Sequence, residues 1–147
     1  LAQARKTQGD APGAWKYIDH VLETTPEFVF GHLNAAALAI ETNNGEREEE
    51  EVAWLRARNN LDSEPLRDAY YREKRFLEAA FIQEKIIQRV EQDLVSYTSQ
   101  QRALYYAHLA ALYRLAGGKD KAREAAMRVL ELDPARRSEV EAFLKTL

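Results

Sequence analysis

Ala103–Ala135 reads ALYYAHLAALYRLAGGKDKAREAAMRVLELDPA, and this stretch decides the fold. Apolar residues recur three and four apart up to Leu115, a Gly pair follows at Gly117–Gly118, and a second periodic run closes at Pro134. Period-3.6 spacing describes a helix with one buried face. Glycine ends a helix in a left-handed cap. Proline cannot continue a helix and pushes its predecessor out of α space. Helix, tight turn, helix, proline is therefore one unit. Lys119 and Asp120 open its second helix, and Ser99 is the expected N-cap of its first.

The same marks recur upstream. Ala14, Ala53 and Ala122 each stand twelve residues before a proline, Pro26, Pro65 and Pro134, and two of them precede a tryptophan, Trp15 and Trp54. Gly9 and Gly117 each lie five residues before one of these alanines, and Leu1–Ala2 and Leu109–Ala110 occupy matching offsets. Small residues on paired helices let two backbones approach closely, which gives Ala2, Ala14, Ala110 and Ala122 a shared role.

The quoted stretch resembles a tetratricopeptide repeat, whose period is about 34 residues. Tyr106, Leu109, Ala110, Tyr113, Gly117, Ala122 and Pro134 carry the likeness. The resemblance implies an all-α fold, a right-handed α-solenoid of helical hairpins. Residues 1–26 read as a truncated first repeat and 28–65 as a second with about five extra residues near Asn43, Asn44 and the Glu-rich run. Residues 99–135 form the well-matched repeat, and Val140, Phe143, Leu144 and Leu147 predict a capping helix over 138–147. Residues 66–97 depart from the pattern. Leu66, Tyr70, Leu77, Phe81, Ile87, Val90 and Leu94 keep helical spacing, and Leu66–Tyr97 contains no Gly or Pro. This predicts one long irregular helix, about 45 Å at 1.5 Å per residue; the alternative is a degenerate hairpin turning near Glu78–Ala80.

Composition agrees with the helical class. Of 147 residues 46% are hydrophobic and 31% charged, enough for a core and a soluble surface. A net charge of −3 argues against nucleic acid, which needs a basic face. The absence of cysteine removes disulfides, thiolates and Cys-ligated zinc, and is compatible with cytoplasm or bacterial periplasm. No apolar run reaches the roughly 20 residues of a membrane helix. The chain starts at Leu1 rather than Met, which suggests a piece of a longer protein.

Nothing in the sequence has the form of a catalytic, cofactor or metal site. His20, His32 and His108 have no HExxH spacing and no Cys partner, and read as surface or groove histidines. Gly117–Gly118 ends a helix and does not cradle phosphate. Glu46 and Glu48–Glu51 are read as carboxylates crowding a helix N-terminus, where the dipole favours them. Arg72, Lys74 and Arg75 read as a solvated face. Most of the tyrosines, dense in the second half, are expected to wedge between helices, with one or two free to line a groove.

The resemblance implies a protein or peptide ligand on the concave face, lined by the first helix of each unit. Facing positions are Phe30, Leu33, Asn34, Ala37 and Glu41, then Leu104, Ala107, His108, Ala111 and Arg114. Phe30, Asn34, His108 and Arg114 stand out because hairpin packing does not need large or polar residues there. Some family members clamp a terminal carboxylate with two Lys/Arg and two Asn. Asn34 matches one asparagine, but Gln3, Ala69 and Glu73 stand at other clamp positions, so the clamp is not intact. Two other accounts are a regulatory or substrate-presenting appendage of a larger enzyme, whether membrane-bound or not, and a homodimer through the long helix. Exposed Phe76, Leu77 or Ile86 would favour the dimer.

Overall fold

The computed structural model describes residues 9–147, so Leu1, Ala2 and Gln3 lie outside the described residues. Every regular element among the described residues is helical. The chain divides into two compact units, 1–74 and 75–147. Unit 1 holds α1 (Ala11–Thr24), α2 (Val29–Glu41), α3 (Gly45–Ala57) and α4 (Glu64–Arg72). Unit 2 holds α5 (Phe76–Gln92), α6 (Ser99–Leu115), α7 (Lys119–Leu132), a 3₁₀ turn at Pro134–Arg136 and α8 (Arg137–Leu144).

Local chemistry sets the helix starts. The Asp10 side chain accepts from Gly13 N at 2.9 Å at the head of α1, and Asn44 accepts from Arg47 N at 3.2 Å at the head of α3. Ser63 caps α4 by accepting from Leu66 N at 3.3 Å. The cap of α6 is Thr98, one residue before the expected Ser99. It accepts from Gln101 N at 3.2 Å, while the Gln101 side chain accepts from Thr98 N at 2.9 Å, a reciprocal capping box.

Three turns share a left-handed residue. α2–α3, α4–α5 and α6–α7 are each joined by three residues, and the middle one is left-handed: Asn43 (φ 54°), Lys74 (φ 58°) and Gly117 (φ 80°). Gly9 (φ 77°) stands in the same place, two residues before α1. After the left-handed residue of the α2–α3 turn, Asn44 N donates to Ala39 O at 2.8 Å; in the α6–α7 turn Gly118 N donates to Tyr113 O at 2.8 Å. This six-to-one bond satisfies a carbonyl that the helix end leaves open.

In unit 1, α2 packs against α1, α3 and α4, so it is apolar nearly all round. Ala35, Ala36, Leu38, Ala39 and Ile40 are all buried. Ala14, Ile18, Ala35 and Leu38 form a cluster that Trp15 and Leu22 close over. A Cβ on Gly31 would sit 2.8 Å from Leu22 Cδ2, so a larger residue there would require the Leu22 side chain to shift. In unit 2, α6 packs against α5 and α7, and α7 against α8. Ala103, Ala110, Ala122 and Ala126 are buried where these helices meet, and Val140 seats α8.

Two expectations are corrected. The long helix over 66–97 does not form: α4 ends at Arg72 and α5 begins at Phe76. The break falls before the alternative turn at Glu78–Ala80, and Ala79 and Ala80 are fully buried within α5. Lys74 takes a conformation usually left to Gly or Asn, so the residue types give no turn signal. The proline ruler also fails once. Pro65 lies in the first turn of α4, which it opens, while α3 stops eight residues earlier and turns through left-handed Asn59 (φ 57°). Ala53, matched to Ala14 through that ruler, is exposed. α3 and α4 are joined by six residues, 58–63.

A left-handed conformation costs a β-carbon residue about 1 kcal/mol or more. Lys74→Gly is expected to raise the unfolding free energy by about 0.5 kcal/mol after the entropic cost of glycine, and Lys74→Val to lower it; urea denaturation followed by circular dichroism measures both.

Candidate partner-binding surfaces

The left-handed residues give an internal register for the expected contact positions. Phe30 and Leu104 each stand thirteen residues before the left-handed residue of their turn, Asn43 and Gly117, while Asn34 and His108 each stand nine before it. Within unit 1, Phe30 is 67% exposed, Asn34 is exposed, and Phe28 lies beside Phe30 with ring centroids 6.0 Å apart. Leu33 is half-buried and Ala37 is buried. Glu41 is committed elsewhere: it accepts from Arg72 Nε at 3.1 Å and ties α2 to α4. Within unit 2, Leu104 is 57% exposed, and Ala107, His108 and Ala111 are half-buried. Arg114 donates to Thr146 Oγ1 at 3.0 Å and lies 5.0 Å from the Phe143 ring centre, which binds α6 to the α8 end of the chain. Glu41 and Arg114 are thus internal ties. Phe30, Asn34, Leu104 and Arg114 are the expected contact residues exposed to solvent.

Unit 1 also holds a buried polar chain that the sequence reading does not contain. His32 is 8% exposed, not a surface histidine. Its Nε2 lies 2.7 Å from Pro26 O, and its Nδ1 lies 2.6 Å from Glu51 Oε2. A carbonyl only accepts, so Nε2 donates to Pro26. The short contact to Glu51 then needs a proton between nitrogen and oxygen. Arg47 Nε donates to Glu51 Oε1 at 2.8 Å, and Arg47 Nη2 to Asp19 Oδ1 at 2.9 Å. The chain of bonds therefore links α1, α2 and α3. Trp54 stacks on the His32 ring with centroids 3.5 Å apart, and Arg58 covers Trp54 at 4.0 Å while holding Glu27.

This network divides the Glu-rich run by function. Glu46, Glu49 and Glu50 are exposed. Glu48 accepts from the Tyr70 hydroxyl at 3.0 Å, and Glu51 is the buried acceptor of the network. Periodicity carries the only sequence signal for this: His32 sits on the apolar face of α2, and Glu51 lies four residues before buried Leu55 on α3. The basic group also resolves into separate pairs, Arg72 with Glu41 and Arg75 with Glu78.

In unit 2 the helices α5, α6 and α7 enclose a groove of about 720 Å³. The Tyr113 hydroxyl donates to Glu84 and accepts from Lys121 Nζ at 3.3 Å. Burial, then the hydrogen bond to Glu84, pushes the Tyr113 hydroxyl far above the ordinary tyrosine range. Burial also raises Tyr106, which stands between Arg128 and Glu91. Among the described residues, no cluster of His, Cys, Asp and Glu has the grouping that holds a metal ion. No described helix is long and apolar enough to cross a membrane.

Removing one partner from a buried pair leaves the other group uncompensated. Glu51→Ala is expected to lower the unfolding free energy by roughly 3 kcal/mol, whereas Glu50→Ala, one residue away, is expected to change it by less than about 0.5 kcal/mol. Equilibrium denaturation of the two variants side by side checks this; equal effects would contradict the placement of Glu51.

Compared with protein-family models the chain matches none, and no curated protein matches it.

Proposed function

We propose that this stretch is a tetratricopeptide-like repeat module that binds a peptide or helix of a protein partner through the exposed face of α2 in unit 1 and, as a separate contact, that of α6 in unit 2. The observation that carries the reading is Phe30. It lies two-thirds exposed on a helix that otherwise buries or half-buries its apolar side chains. Leaving a Phe in water forfeits about 1.5–3 kcal/mol of burial. Leu104 holds the equivalent place on α6 and is also exposed. Large apolar side chains repeated at one register position, beside polar Asn34 and His108, suit a partner segment with alternating apolar and polar contacts. The likeness of Ala103–Ala135 to a tetratricopeptide repeat supports the same reading, as analogy of fold. The proposal assigns no catalysis, cofactor or nucleic acid to this stretch.

The dimer account no longer has one long helix to act through, since α4 ends at Arg72 and α5 begins at Phe76. Of the three residues that would have favoured it, Leu77 is 62% exposed, Phe76 is half-buried and Ile86 is fully buried.

A photo-crosslinking phenylalanine analogue placed at position 30, and separately at 34, tests the surface in cell extract. A discrete adduct from both positions is expected, absent when the analogue replaces exposed Glu49 on α3. Adducts of the same pattern from all three positions, or none from 30 and 34, would contradict the assignment.

A further inference from the structure

The groove of unit 2 lies on the side of α6 turned away from Leu104 and His108, since Tyr106, Leu109 and Tyr113 fall about half a turn from them at 100° per residue. It is layered, and the same layers appear on all three helices. The first contains Glu84 of α5, the Tyr113 hydroxyl of α6, and Lys121 and Glu124 of α7. One helical turn along, the second contains Ile87, Leu109 and Met127, with Gln88 beside Ile87. A further turn along, the third contains Glu91, Tyr106, Arg128 and Glu131. α6 runs opposite to its neighbours, so its numbers fall where theirs rise, and the three layers stay level.

The layers differ in charge balance. In the third, Arg128 holds Glu131 at 2.6 Å and Arg102 holds Glu91 at 2.9 Å, two cations for two carboxylates. In the first, Lys121 stands alone against Glu84 and Glu124, and both carboxylates act on Tyr113 by their charge. One negative charge is left over there. Next to it lies an apolar floor whose outer lip, Met127, is 44% exposed. A cavity of this volume with an apolar floor and a few convergent polar groups has the character of a binding site.

We propose that this groove is a second docking surface, distinct from the α2 and α6 faces, for an amphipathic helix of a protein partner. That helix presents a Lys or Arg, and a large apolar side chain one turn further along the same face. The cation meets Glu84 and Glu124, and the apolar side chain fills the space between Ile87, Leu109 and Met127. A partner with an acidic residue at the first position faces like charge, so the groove discriminates by sign.

The chain contains one methionine, Met127, so methyl-labelled methionine gives one NMR signal that reports the groove. The probe is a synthetic Ala-based helical peptide of 15 residues with Lys and Leu four apart; its control carries Glu in place of Lys. The Lys/Leu peptide is expected to shift the Met127 methyl signal saturably at low salt. Binding is expected to weaken at least about fivefold for the Glu peptide and in the double variant Glu84→Gln/Glu124→Gln, whose amide oxygen at position 84 still accepts from Tyr113. A signal unmoved by the Lys/Leu peptide, or moved equally by both peptides or equally in the variant, would overturn the proposal. None of these outcomes bears on crosslinking at positions 30 and 34.

Discussion

A single left-handed residue in a three-residue turn is the constraint on which the architecture depends. It turns the chain through Asn43 and Gly117, and closes the preceding helix with a bond from the following N–H to a carbonyl one turn back. A connection this short leaves adjacent helices no choice but to lie side by side. Close pairing then dictates small residues at the crossings: Gly31 beneath Leu22, Ala36 in α2, Ala110 in α6 and Ala122 in α7. Larger side chains there would force neighbouring side chains to shift, at a cost of about 1–3 kcal/mol each.

Once the crossings are fixed, polar groups trapped between helices must find partners there. Each unit solves this in its own way. Unit 1 threads His32, Glu51, Arg47 and Asp19 into one chain across three helices. Unit 2 sets tyrosine hydroxyls between carboxylates of α5 and cations of α7, and buries Gln83 with its amide donating to Tyr105 O at 2.9 Å. These bonds specify which helix faces which, while the alanine and leucine contacts supply the bulk of the burial. What remains on the surface is then informative, because exposed Phe30 and Leu104 belong to neither system.

The helical class, the α6–α7 hairpin, a helix near the C-terminal end and the buried Ala14, Ala110 and Ala122 were legible because each rests on a local signal: periodicity, a Gly pair or a small residue at fixed offset. The break at 73–75 was not. Lys74 carries no turn signature, and Tyr70, Leu77 and Phe81 continue a helical stripe across the interruption by coincidence of spacing. Pro65 misled for a related reason, since proline is as much at home in the first turn of a helix as after its last. The candidate surface was legible in part. Register identified Phe30, Asn34 and Leu104, but whether a charged side chain is spent internally depends on neighbours distant in sequence. Glu41 and Arg72 are 31 residues apart, Arg114 and Thr146 are 32, and His32 and Glu51 are 19. No local pattern announces such pairs.

Backbone ¹³C chemical shifts across residues 64–92 test the central claim most directly, because they report helical, extended and left-handed conformations residue by residue. The account predicts helical shifts through Arg72, an interruption at Glu73–Arg75 with Lys74 left-handed, and helical shifts again from Phe76. Uninterrupted helical values from Leu66 to Gln92 would contradict it, and would restore a single long helix in place of the repeated turn.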